Sequence, residues 1–124
     1  MAKILVVDDD VRNLRLAGTV LEKAGHEVLS AEGGAEGIEA ALAHAPDLVL
    51  MDVQMPELDG IAVLRRLRAD PRTAAFKVVA LTALAMKGDR ERLIKEGFDA
   101  YIEKPIRYKE FLESVAALLA GKSE

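Results

Sequence analysis

Five short apolar runs recur along the chain: KILVV (3–7), EVLSA (27–31), DLVLM (47–51), KVVAL (77–81) and AYIE (100–103). They read as strands, and because most are apolar almost throughout instead of alternating with polar residues, they read as strands covered on both faces. Between and after them, apolar residues recur at helical spacing. Leu14, Ala17, Leu21 and Ala24 form one such stripe; Phe111, Leu112, Val115, Leu118 and Leu119 form another. These predict amphipathic helices. Gly25, Pro46, the segment ADPRT and Gly97 punctuate the joints. The fourth helix, around MKGDRERLIKEG, is the weakest, with an internal Gly88 and few apolar anchors. Strand and helix alternate five times, which predicts an α/β chain whose parallel sheet carries helices on both faces.

A length of 124 residues bounds one domain, here residues 1–124, and 51% hydrophobic with 31% charged residues is a globular composition. With no cysteine, disulfides and thiolate metal sites are excluded. A net charge of −4 argues against a dedicated nucleic-acid binder, since backbone affinity needs clustered Lys and Arg. The one basic cluster, Arg65 to Arg68, reads as the solvated face of a helix. No run is long enough to cross a membrane and no signal-peptide pattern opens the chain, so a cytoplasmic location is expected. His26 and His44 read as weak cations at the ends of the first two helices.

Charge changes the picture at the strand ends. The first strand stops on Asp8, Asp9 and Asp10, which repel one another by roughly 1 kcal/mol per close pair in water and about 4 kcal/mol near a protein surface. In an open α/β sheet ligands bind beyond the carboxyl ends of the strands, where the strand order reverses. There the third strand ends in Asp52, the fourth in Thr82 and the fifth in Lys104 before Pro105. Asp8, Asp9 and Asp52 together offer hard oxygen ligands of the kind Mg²⁺ takes, and a bound cation offsets their repulsion. A hydroxyl at Thr82 and an ammonium at Lys104 suit the oxygens of a transferring phosphoryl group, for which one of the carboxylates could be the nucleophile. Asp10 reads separately, as the N-cap of the helix that follows.

ILVVDDD, DLVLMDVQMPELDG, VVALTA and AYIEKPI resemble the successive motifs of response-regulator receiver domains, the phosphoacceptor modules of two-component signalling. The likeness covers essentially the whole chain, and MDVQMPELDG is its most specific block. It implies a flavodoxin-like doubly wound (βα)5 fold with strand order 2-1-3-4-5, and Asp52 as the phosphoacceptor. It also implies Mg²⁺ held by Asp8, Asp9, Asp52 and the Gln54 carbonyl, with Thr82 and Lys104 on the phosphoryl oxygens. A cis Lys104–Pro105 bond is expected from it. Gln54 and Leu84 match positions that tune dephosphorylation. The implied donor is a histidine kinase or histidine phosphotransfer protein, and the output is a reorientation of Tyr101 that changes the surface of helix four, strand five and helix five for a downstream protein. The resemblance implies no enzyme beyond self-catalysed transfer and autodephosphorylation.

Three other readings are weighed at this point. A receiver-like docking module would use the same surface without phosphate. A haloacid-dehalogenase-like phosphatase would use Asp8 and Asp10 as its Asp-x-Asp motif, with Asp8 the nucleophile, although Asp52 then precedes Thr82 and Lys104 in the wrong order. A flavodoxin-like cofactor binder would need a phosphate-cradling loop where DDDVRN instead presents carboxylates.

Overall fold

The computed structural model describes residues 2–55, 58–83 and 87–121. Its elements follow the predicted alternation: β1 (Lys3–Val7), α1 (Val11–Lys23), β2 (Glu27–Ala31), α2 (Gly34–His44), β3 (Leu48–Asp52), α3 (Gly60–Ala69), β4 (Val78–Thr82), α4 (Lys87–Glu96), β5 (Ala100–Glu103) and α5 (Tyr108–Leu119). All strand pairs are parallel and the order is β2-β1-β3-β4-β5, so the expected reversal lies between β1 and β3.

Successive strand side chains point to opposite faces, and this alternation sorts the apolar residues into two cores. Leu5, Val7, Val49, Met51, Val78 and Ala80 pack under α2, α3 and α4 with Val63, Leu64, Leu67 and Leu93. Ile4, Val6, Leu48, Leu50, Val79 and Leu81 pack under α1 and α5 with Leu14, Ala17, Leu21, Phe111 and Val115. The central strands β3 and β4 are buried along their whole length, whereas the edge strands β2 and β5 are only partly covered. That is why EVLSA and AYIE are the least apolar of the five runs.

β3 and β4 begin one residue later than their apolar runs and take in the polar residue that follows. Asp52 pairs opposite Leu81 and Thr82 opposite Glu103, so both polar residues are held by a sheet ladder rather than by a loop. The weak helix α4 is built as its composition implied: Leu93 is the one buried side chain among its described residues. Gly25 (φ 95°) and Gly97 (φ 119°) end α1 and α4 in the left-handed region that glycine tolerates best.

Two readings of charged residues change. Arg65 and Arg66 are exposed, as expected, but Arg68 is half-buried and is no solvated charge. Its guanidinium donates to Phe76 O and to Ala74 O (2.9 Å), Gly97 O (3.0 Å) and Asp99 Oδ2 (3.0 Å). Asp99 Oδ2 also accepts from Val78 N at 2.8 Å, so one planar fork ties the ends of α3 and α4 to the starts of β4 and β5. His44 ends α2, but His26 lies beyond α1, and its Nδ1 accepts from Ala2 N at 3.2 Å. That contact holds the chain entering β1, a role added to the helix-end position, where the His26 N–H donates to Leu21 O at 3.1 Å.

Candidate functional site

The three consecutive carboxylates at the end of β1 part into three roles. Asp8 is fully buried; its N–H still donates to Ala31 O (3.1 Å), continuing the β1–β2 pairing, and its Oδ1 accepts from Asp10 N (2.9 Å). Asp9 is exposed at the rim. Asp10 is the N-cap of α1, accepting from Arg12 N (2.9 Å) and pairing with the Arg12 guanidinium (3.1 Å). Hydrogen bonding to Arg12 holds the Asp10 carboxyl below the usual carboxylate range. Satisfied by Arg12, Asp10 takes no part in the cluster that the other two form.

Asp52 ends β3 and is 4% exposed. One ligand oxygen each from Asp8, Asp9 and Asp52 lie within 4.8 Å of one another. Lys104 enters from the far side of β4: its N–H donates to Thr82 O (2.8 Å), and the Lys104–Pro105 bond is cis, as expected. Its Nζ lies 3.1 Å from Asp8 Oδ2 and 3.1 Å from Asp52 Oδ1. Asp52 Oδ1 also accepts from Gln54 N at 3.2 Å. Both partners therefore sit on Oδ1, and no described group donates to Asp52 Oδ2.

The electrostatics follow from this crowding. Burial, then the charge of Asp8, push the Asp52 carboxyl up to about 6, against the opposing pull of Lys104 and the Gln54 N–H. Burial alone would lower Lys104, but its pairing with the carboxylates of Asp8 and Asp52 outweighs burial and raises it. Three carboxylates against one ammonium leave the cluster two positive charges short. The shortfall is localised: Asp8 Oδ2 is close to Lys104 in distance but off any hydrogen-bond direction, and it is a buried oxygen without a hydrogen-bond donor. A buried, unsatisfied oxygen in an all-carboxylate set fits a hard divalent cation such as Mg²⁺.

The remaining sequence-derived positions fall around this centre. Thr82 is buried at the end of β4, one step beyond the residue paired with Asp52. Gln54 is exposed, with its N–H on Asp52. Leu84 lies outside the described residues. Tyr101 is partly covered on β5; the Arg90 guanidinium lies 5.5 Å from its ring centroid, 3.4 Å from its hydroxyl, and 3.4 Å from Glu103 Oε1.

Two contributors carried no signal in the periodicity. Arg90 is one of several charges on a polar helix, and only the packing of α4 on β5 brings it to Tyr101. Gly60 stands at the end of MDVQMPELDG, the block whose specificity was evident but whose glycine had no assigned role. It is the first residue of α3, its N–H donates to Val53 O (3.0 Å), and a Cβ there would meet Asp52 O at 2.5 Å.

Comparison with known proteins agrees with this architecture. A family model described as response regulator receiver domain matches residues 4–116. The polar-differentiation response regulator DivK of Brucella anthropi is 39% identical over 116 residues, covering 94% of each chain. Among solved structures, the receiver domain of a Francisella response regulator superposes with a TM-score of 0.89 at 30% identity, over 98% of both chains. The receiver domain of a Pseudomonas aeruginosa sensor histidine kinase, described with a magnesium ion coordinated in its active-site cleft, gives a TM-score of 0.85 at 30% identity, also over 98% of both.

Proposed function

This chain belongs to the response regulator receiver domain family of two-component signalling, and we propose that residues 1–124 act as one receiver whose phosphoacceptor is Asp52. The observation that carries the reading is the shared contact of Lys104 Nζ with Asp8 Oδ2 and Asp52 Oδ1, beside a three-carboxylate cluster whose excess negative charge a divalent cation would offset. The donor is a phosphohistidine on a histidine kinase or histidine phosphotransfer protein, met in the cytoplasm.

In the transfer, Asp52 Oδ2, the oxygen without a described donor, attacks phosphorus. An O–P bond forms, the P–N bond breaks, and the bonding pair returns to the imidazole nitrogen, which takes up a proton. Asp8, Asp9, Asp52 and the Gln54 carbonyl would hold Mg²⁺, whose charge when bound neutralises the phosphoryl oxygens. Lys104 exchanges part of its pairing with Asp52 Oδ1 for a phosphoryl oxygen, and the Thr82 hydroxyl donates to another. The chemistry is confined to the protein's own side chain, so the chain is a phosphoacceptor rather than an enzyme with a separate substrate. Output runs through Tyr101 to the surface of α4, β5 and α5, read by a protein partner.

The test is intact mass after incubation with Mg²⁺ and acetyl phosphate, for wild type, Asp52→Asn and Asp8→Asn. One labile phosphoryl group, lost in Asp52→Asn, is the expected result. Labelling that survives Asp52→Asn but not Asp8→Asn would favour a phosphatase-like nucleophile at Asp8, and no labelling of the wild type would favour a docking module.

A further inference from the structure

We infer that Gly60 is a positioning residue for Asp52: the first residue of α3 is a backstop that sets how far the phosphoacceptor peptide sits into the site. The inference rests on the reading of Asp52 as phosphoacceptor and cation ligand. Gly60 N donates to Val53 O at 3.0 Å, tying the start of α3 to the residue after Asp52. An added Cβ would lie 2.5 Å from Asp52 O, 2.9 Å from Val53 Cα and 3.1 Å from Asp52 C. All three are backbone atoms, so no rotamer change makes room; either α3 or the Asp52–Val53 peptide must move. Asp59 pins α3 from its other side, its Oδ1 accepting from Ala62 N at 2.9 Å as the N-cap. Asp52 is itself held at both ends, by the β3–β4 ladder and by the Gln54 N–H on Oδ1. A displacement of its peptide therefore passes to the carboxylate that Asp8, Asp9 and Lys104 surround. Gly37 differs. A Cβ at Gly37 would meet only the Val7 side chain, at 2.9 and 3.0 Å for its two nearest atoms, a contact that can yield by side-chain movement.

The experiment compares Gly60→Ala with Gly37→Ala, both residues being buried helical glycines whose replacement is expected to lower stability. Three readouts are taken on each: urea midpoint, the backbone amide shifts of residues 52–54 without metal, and the Mg²⁺ dissociation constant from the same amides. Gly60→Ala is expected to move the amides of 52–54 and to weaken Mg²⁺ binding by about 10-fold or more, the range seen when support of a metal ligand is removed. Phosphorylation by acetyl phosphate at saturating Mg²⁺ should slow by a similar factor, since a shift of about 1 Å can lower a rate by about 100-fold. Gly37→Ala should lose stability with Mg²⁺ affinity unchanged. Equal Mg²⁺ affinity and unmoved 52–54 amides in Gly60→Ala would overturn the role. Should Gly60→Ala fail to fold, Asp59→Ala frees the first turn of α3 while keeping the glycine; a loss of Mg²⁺ affinity beyond that of Gly37→Ala supports the backstop, and none overturns it. The metal-free amide comparison decides this even if the wild type takes no phosphate, a result that would count against the proposed function alone.

Discussion

Asp8 and Asp52 leave adjacent strands and hold one ammonium between them, Lys104 Nζ lying 3.1 Å from Asp8 Oδ2 and 3.1 Å from Asp52 Oδ1. The bridge is a compromise. One cation shared by two buried carboxylates, with Asp9 at the rim, lowers their repulsion without cancelling it, and the carboxyl of Asp52 stays pushed up to about 6.

The first consequence concerns stability without metal. Asp52→Asn keeps the side-chain volume and removes a charge that burial disfavours, while Lys104 retains Asp8. The variant is expected to be more stable than wild type by about 1 to 3 kcal/mol at pH 8, one pKa unit corresponding to about 1.4 kcal/mol. Urea unfolding in EDTA measures it. Adding Mg²⁺ should narrow or reverse the gap, because a ligand that binds only the folded wild type raises its stability by mass action.

That gap should depend on pH with a definite sign. Asp52 has a folded value of about 6 against an ordinary 3.8, so between these limits the folded state binds more protons than the unfolded one and stability falls as pH rises. Below about pH 4 wild type and Asp52→Asn should differ little. The difference should open between about pH 4 and 6 and stay level to pH 8. A metal-free urea series at several pH values checks this, and a gap that shrank with rising pH would contradict it.

Removing the shared cation should act in the opposite direction. Lys104→Met leaves Asp8 and Asp52 facing each other with no ammonium, and breaking a buried pair in this way destabilises by about 3 to 5 kcal/mol. The loss should be largest in EDTA and smaller in Mg²⁺. Phosphorylation by acetyl phosphate at saturating Mg²⁺ should fall by about 100-fold or more, the scale for losing one positioned group that stabilises transition-state charge. Lys104→Arg should recover stability better than rate, since a planar fork does not replace a point charge between two oxygens.

Arg90 should restrain the aromatic residue on β5. Its cation–π and hydrogen-bond contacts favour the present Tyr101 conformer by about 0.5 to 1 kcal/mol at this partly exposed position. With Mg²⁺ and beryllofluoride as a phosphoryl mimic, amide signals between residues 82 and 108 are expected to shift. In Arg90→Ala the mimic-free spectrum should move part of the way toward that bound spectrum, by a two- to five-fold change in conformer ratio, about what 0.5 to 1 kcal/mol yields. Signals unmoved by the mimic would break the proposed link between Asp52 and Tyr101.

Much of this site was legible in the residues. Asp8, Asp9, Asp52, Thr82 and Lys104 each follow an apolar run, and a buried strand that ends on a polar group declares its rim in one dimension. Asp10 was legible as a cap because capping is local. Arg68 was not: RRLR looks the same whether its last arginine meets water or four acceptors, and those acceptors come from segments 74–76 and 97–99 that only folding brings near. The His26 contact was hidden for the same reason, its partner being Ala2 in the segment that enters β1.

The residues alone determined five strands, the helices between them and the polar groups at the carboxyl ends of four of the strands, because apolar patterning and periodicity are properties of neighbours in the chain. Tertiary structure decided which of those groups meet. The order β2-β1-β3-β4-β5 put Asp8 beside Asp52, the β4–β5 pairing delivered Lys104 between them, and the close approach of α3 set Gly60 against the Asp52 peptide. Such contacts are fixed by strand order and helix placement, which depend on the packing of the two cores as a whole and leave no mark on the spacing of any single segment.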